Sequence, residues 1–304
     1  MRPYLLMLGG AFAFAVMGAF AHAAGKVCPW QVIALSRSAV ALVIAGSLAF
    51  YEQTPLVLFR PKTLWLRSLA GSLSVLCNFY ALSKLPVADA LTLTNMFPLW
   101  IAVLSWPMLG RLPGLSAWIG IVCGLLGVAV MQQPYLAEGN AGTLAAVTGS
   151  VTSAVALLGL HRLRTVAANA VVVHFSCVSV TMLLILLLVS PPQASDVWPL
   201  QLNWRLMGLL SGVGVTATIG QLLLTRAFAE GAPARVSVVG LSQVGFAMIF
   251  DIVIWNRQFH QHTVFGILLV LGPTVWMILF GGSRKDEVQN QDHSDTATSD
   301  KIAE

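Results

Sequence analysis

The sequence predicts an all-α integral membrane protein with ten transmembrane helices in two inverted five-helix repeats. Three observations lead there. The first is composition: of 304 residues, 57% are hydrophobic and 10% charged, with a mean hydropathy of +0.80, whereas soluble domains carry about 25% charged residues. The second is spacing. Apolar segments at about 4–22, 30–50, 64–83, 86–107, 114–131, 141–160, 169–190, 206–228, 233–255 and 263–281 each approach the ~20 residues that cross a bilayer. The third is doubling. At an offset of 146 residues, Tyr80-Ala81-Leu82-Ser83-Lys84-Leu85-Pro86 falls on Arg226-Ala227-Phe228-Ala229-Glu230-Gly231-Ala232, with Arg111 on Arg257, Gly120 on Gly266 and Met131 on Met277. Five spans per copy, an odd number, turn the second copy over in the membrane.

Residues 1–131 form the first repeat, 141–281 the second, and 282–304 a polar tail expected to be disordered. The first span imitates a secretory signal, with Arg2, an apolar core and Ala21-His22-Ala23-Ala24. Its apolar run is as long as a full span, however, and the five-span repeat requires it. Segment 141–160 echoes it, with Gly10 on Gly149 and His22 on His161. Clusters at Gly25 to Pro29, Thr54 to Pro61, Gln132 to Gly142 and Pro191 to Pro199 break the chain between spans. Within spans, Pro98, Pro107 and Pro273 each remove a backbone donor. Gly120-x-x-x-Gly124 fits close helix packing.

The net charge of +5 is unevenly placed. The tail holds three bases against six acids, which leaves 14 bases and six acids, a surplus of +8, for the membrane part. With the N-terminus cytoplasmic, the inner side carries Arg2, Arg60, Lys62, Arg67, Arg111, Arg162, Arg164, Arg226, Arg235, Arg284, Lys285 and Lys301. The outer side carries Lys26, Lys84, Arg205 and Arg257. Twelve against four places both termini in the cytoplasm by the positive-inside rule. No basic run interleaved with aromatics suggests nucleic acid.

Enzyme signatures are missing. There is no G-x-x-x-x-G-K-[ST], no G-x-S-x-G and no H-E-x-x-H. The four cysteines, Cys28, Cys77, Cys123 and Cys177, are scattered without a Cys/His cluster, so neither metal nor cofactor is expected. Ionisable groups inside spans are the informative ones, because each costs ~2.5–3.5 kcal/mol at a helix centre on insertion scales. Arg37 lies seven residues into span two, about 10 Å along the helix. Three roles are open to it: a fold-locking ion pair with Asp89 or Asp251, a substrate-binding cation, or a snorkelling side chain. Asn78, Asn95, Gln221 and Gln243 bring amides to spans three, four, eight and nine. Each serves equally as an interhelical hydrogen bond or as part of a shared polar cavity. His174 in span seven is either a satisfied core histidine or a proton carrier.

The segment Asn78-Phe79-Tyr80-Ala81-Leu82-Ser83-Lys84-Leu85-Pro86-Val87-Ala88-Asp89-Ala90, leading into Thr94-Asn95-Met96-Phe97-Pro98-Leu99, resembles the EamA repeat of the drug/metabolite transporter superfamily. Trp118-Ile119-Gly120-Ile121-Val122-Cys123-Gly124-Leu125-Leu126-Gly127-Val128 is similar to that repeat's last span. The resemblance implies ten helices with cytoplasmic termini and a central cavity lined by the first four helices of each half. It also implies a peripheral fifth and tenth helix, which form homodimer contacts in some members. Departures exist: Gly110-Arg111 and Asn256-Arg257 stand where Gly-Glu is common, and Val244 replaces the span-four proline in the second copy. The expectation is a plasma-membrane (inner-membrane) secondary transporter of a small polar or anionic metabolite. It would work by alternating access, with efflux as the expected direction. A flippase of a lipid-linked sugar or headgroup is the alternative; a membrane enzyme and a non-transporting scaffold rank below it.

Overall fold

A computed structural model of the chain describes all residues except 58, 60, 86, 111, 133–140, 190–202, 256–260 and 281–304. The side chains of Asp89 and Asp251, the 282–304 tail, Arg111 and Arg257 therefore lie outside the described residues. Among those described, the secondary structure is helical, without a strand. The helices are α1 (Arg2–Gly25), α2 (Trp30–Tyr51), α3 (Lys62–Lys84), α4 (Val87–Thr94), α5 (Phe97–Leu109) and α6 (Leu115–Gln132). There follow α7 (Ala141–Arg162), α8 (Ala168–Val189), α9 (Trp204–Glu230), α10 (Pro233–Gly240), α11 (Ser242–Trp255) and α12 (Gln261–Phe280).

Among the described residues, seven stretches are long and apolar enough to cross a membrane: α1, α2, Ala90–Leu109, α7, α8, α9 and Pro233–Phe250. α6 and α12 contain shorter apolar stretches, Leu115–Val130 and Val264–Trp276. α3 is 23 residues long, so polarity rather than length keeps it off that count. Its polar groups point inward: Arg67, Ser68, Ser72 and Ser74 are buried while Leu66, Leu69 and Leu73 are exposed. Apolar side chains outside and hydroxyls inside suit a protein whose solvent is lipid. The molecule is a multi-pass membrane protein.

Local sequence explains where helices start and stop. Pro29 and Pro61 precede α2 and α3 in extended conformation. Asn203 caps α9, its Oδ1 accepting from the Leu206 N–H at 2.8 Å. Gly110 ends α5 in the left-handed region at φ 69°, its N–H donating to the Trp106 carbonyl at 2.8 Å.

The segments expected as continuous spans at 86–107 and 233–255 are each divided. α4 and α10 have eight residues apiece and begin at 87 and 233, 146 residues apart. Pro98, in the first turn of α5, lacks the N–H that would carry α4 onward. Asn95 Nδ2 and Thr94 Oγ1 donate to the Leu91 carbonyl at 2.7 and 3.3 Å. The second break has no proline; there the Ser242 hydroxyl donates to the Val239 carbonyl at 2.7 Å. Side-chain donors thus serve carbonyls beside both irregular stretches, which lipid would not tolerate unsatisfied.

Helices pack across the halves. α1 lies antiparallel on α9: Tyr4 and Met7 share a cluster with Ala227 and Phe228, and Ala24 shares one with Leu206 and Val213. α7 lies on α3 in the same way, while α2 packs on α8 and α9 and α3 packs on α8. α6 packs on α12. Small residues permit the approach. A β-carbon at Gly10 would stand 3.3 Å from the Gly220 carbonyl, and one at Gly149 would collide with the Asn78 amide.

Candidate functional site

The inward face of α3 organises the polar interior. Ser68 and Ser72, four residues apart, meet α8, and Ser74, two positions further on, meets α7. Ser68 Oγ and His174 Nδ1 share a hydrogen bond of 2.8 Å, and Ser72 and Ser179 share one of 2.7 Å. Toward α7, Ser74 and Ser153 share a hydrogen bond, and Trp100 Nε1 on α5 donates to Ser150 Oγ at 3.0 Å. These hydroxyl pairs hold α3 to both helices of the other half that it touches.

Arg67 comes from the same face, one turn before Gly71. Only 2% of it is exposed, and its Cζ sits 4.4 Å from the centroid of the Phe175 ring. A β-carbon at Gly71 would collide with the Arg67 guanidinium, so that group lies over Gly71. Sequence reading counts Arg67 among the cytoplasmic charges that set orientation. The structure instead buries it, because the long stem carries the charge one turn deeper along α3.

Arg37 approaches from α2. Its Nε, like that of Arg67, is buried without a hydrogen-bond partner. The helices that carry the two arginines, α2 and α3, pack on each other. The ion pair found among the described residues is elsewhere, Arg2 Nε to Glu230 Oε2 at 3.7 Å, in an exposed position. Two buried cations without a carboxylate among the described groups are costly, at ~2.5–3.5 kcal/mol each on insertion scales.

The remaining predicted residues divide between two regions. His174 and Asn78 belong to the α3–α8 and α3–α7 seams. His174 is 7% exposed and sits edge-on to Trp65, ring centroids 4.8 Å apart, besides its bond to Ser68. Asn78 Nδ2 donates to Ser74 Oγ at 3.4 Å, and its Oδ1 is buried without a partner. Gln221 is buried on α9 between Thr218 and Thr225. Asn95 and Gln243 sit instead at the two helix breaks. The breaks approach each other: a β-carbon at Gly240 would stand 3.7 Å from the Phe97 ring. Sequence reasoning missed Arg67 and the serines; the low hydropathy of α3 is the signal that points to them.

A cavity of about 310 Å³ opens where the N-terminal ends of α1 and α8 meet the C-terminal ends of α2, α7 and α9. Glu52, Leu160, Asn169, Val171, Thr225 and Arg226 are among its lining residues. Asn169 Nδ2 donates to Glu52 Oε2 at 2.6 Å. None of the five predicted substrate residues lines this cavity. One helical turn inward, however, Val171 leads to Phe175 and Thr225 leads to Gln221. Gly159, beside lining residue Leu160, abuts the Arg67 backbone. At the opposite end Ala24, Cys28, Ile33, Leu206 and Val213 close into an apolar cluster, with Ile33 one turn from Arg37.

Comparison with known proteins fits this geometry. A sequence model described as the EamA-like transporter family matches residues 1–132. The pseudopaline exporter CntI of Pseudomonas aeruginosa is 28% identical over 277 residues, covering 88% of this chain and 92% of that protein. A protein of Bipolaris victoriae named "Probable transporter vicT" is 24% identical over 309 residues, covering 92% of this chain and 86% of its own. A solved crystal structure superposes with a TM-score of 0.77 at 17% identity, over 92% of this chain and 99% of the other. That likeness concerns the fold.

Proposed function

From a chain whose residues 1–132 belong to the EamA-like transporter family, we propose a secondary transporter of a small polar or anionic metabolite, working by alternating access. The observation that carries this reading is the pair of helices broken 146 residues apart, whose breaks approach each other. Discontinuous helices in corresponding positions of two halves are where transporters of this kind build their sites. The chain is a transporter rather than an enzyme. Ten spans in two inverted repeats are our reading of the twelve helices, with α4–α5 and α10–α11 each counted as one span. Exchange packing supports it: α1 lies on α9 as α7 lies on α3, and α2 meets α9 as α8 meets α3.

In this scheme both termini are cytoplasmic and the membrane is the plasma (inner) membrane. The cavity at the Arg2, Glu52 and Arg226 end then faces the cytoplasm, and the Ile33–Val213 cluster is the outer seal. Arg37 sits beneath that seal as the substrate's cation. Asn78 and Gln221 orient the substrate, while Asn95 and Gln243 stand at the hinges. Asp89 or Asp251 answers the charge of Arg37 when the cavity opens outward, and His174 holds α8 to α3. Export is the direction we assign, in keeping with the named function of the Pseudomonas relative. A homodimer through α6 and α12 is the assembly that the resemblance implies.

Expression in a bacterial host tests the reading. The medium of cells carrying the wild type should accumulate at least one polar or anionic metabolite, measured by mass spectrometry. That accumulation should disappear with Arg37→Ala at equal membrane levels of protein. Identical media from wild-type, variant and empty-vector cells would contradict export.

A further inference from the structure

Arg67 has no place in the transport scheme so far, yet it is the more deeply buried of the two arginines. We propose that Arg37 and Arg67 together form a receptor for a small dianion whose charge resides on oxygens, a dicarboxylate or a phosphate. This inference rests on the transporter reading of the same site and names the class of substrate it takes.

Two guanidiniums come from α2 and α3, which pack on each other, and each has a buried Nε without a hydrogen-bond partner. A fold-locking role would give each cation a carboxylate, and none is found for either among the described residues. The contacts that the Arg67 guanidinium makes are with the Phe175 ring and with Gly71. The ring supports the guanidinium's flat face and leaves its in-plane N–H donors unspent. Planar N–H donors suit carboxylate and phosphate oxygens, which accept two at a time. A single negative charge would answer one cation and leave the other uncompensated; a dianion answers both.

α2 and α8 each have 22 residues and begin at Trp30 and Ala168. Arg37 and Phe175 are therefore the eighth residues of antiparallel helices that pack on each other, and they stand on opposite sides of the middle of that pair. Phe175 occupies in one half the position that Arg37 occupies in the other, and Arg67 lies over it. Both cations thus come from the first half, with an aromatic platform from the second. His174, beside Phe175 on α8, is engaged by Ser68 and Trp65.

The test is thermal-shift titration of the protein in lipid nanodiscs at pH 7.5, with succinate and inorganic phosphate against acetate. Wild type should respond to at least one dianion at tenfold lower concentration than to acetate. Arg67→Gln and Arg37→Gln should each cut that preference to about twofold, while Arg67→Lys, which keeps the charge, should retain part of it. A response confined to succinate identifies a dicarboxylate, and one confined to phosphate a phosphate; either supports the proposal. No response to either dianion would overturn it, as would an unchanged preference in Arg67→Gln. Unfolding of both Arg67→Gln and Arg67→Lys would also overturn it, by making the guanidinium a fold element. Proteoliposome flux separates this claim from the one beneath it. Arginine-dependent dianion binding without flux would sink the transporter reading alone. Export of an anion that ignores Arg67 would sink the dianion claim alone.

Discussion

Polar side chains in the interior divide into those whose hydrogen bonds join helices and those, such as Arg37 and Arg67, with a buried polar atom that lacks a partner. Ser68 and His174 belong to the first kind, since they share a hydrogen bond in a buried seam. Ser68→Ala should lower stability by about 1 kcal/mol, read by thermal denaturation, without moving the pH profile of transport. A shifted profile would instead make His174 a proton carrier. Cys28 lies between α1 and α2, outside the helices, where burial pushes its thiol up to about 11. Because the thiolate is the reactive form, Cys28 should resist maleimide at pH 7.5 and gain reactivity only as pH climbs toward 11; mass spectrometry of labelled protein measures this. Arg37 was legible in the sequence because it sits deep in an otherwise apolar span. Arg67 was not, since a residue five positions into α3 looks interfacial until the direction of its side chain is known.

At the scale of elements, apolar runs located the helices well, because ~20 apolar residues admit few alternatives in lipid. The breaks at 95–96 and 241 were less legible. Pro98 flags the first, but nothing as strong flags the second, where Ser242 does the local work. If hydroxyl and amide donors rather than proline maintain these breaks, Pro98→Ala should leave the α4–α5 break in place. Amide hydrogen exchange at residues 95–97 should then stay as fast as at 241–243; slowing to helical protection would contradict this. Helix pairing across the halves was hidden altogether, since no sequence pattern says that α7 lies on α3. Gly149 carries that contact at its closest point. Gly149→Val should cost about 1–3 kcal/mol through overpacking and displace Asn78, lowering the melting temperature and transport together.

For the whole molecule, composition and the 146-residue doubling made a polytopic membrane protein legible before any coordinates. The position of the cavity was not, because it depends on which ends of the bundle are apart in a given conformation. The twelve-to-four distribution of Lys and Arg predicts that a reporter fused to the C-terminus is active only in its cytoplasmic form. Alternating access itself is best tested by two cysteines in a background without the native four: Thr225→Cys in the cavity and Ile33→Cys in the apolar seal. Each single variant should react with a bulky maleimide, Thr225→Cys from the inner side and Ile33→Cys, more slowly, from the outer side. In the double variant, a first label traps one conformation and blocks the other site. Molecules carrying both labels should therefore be far rarer than the product of the single yields, as counted by intact-protein mass spectrometry. Double labelling at the product of the single yields would contradict a protein whose two ends open in turn.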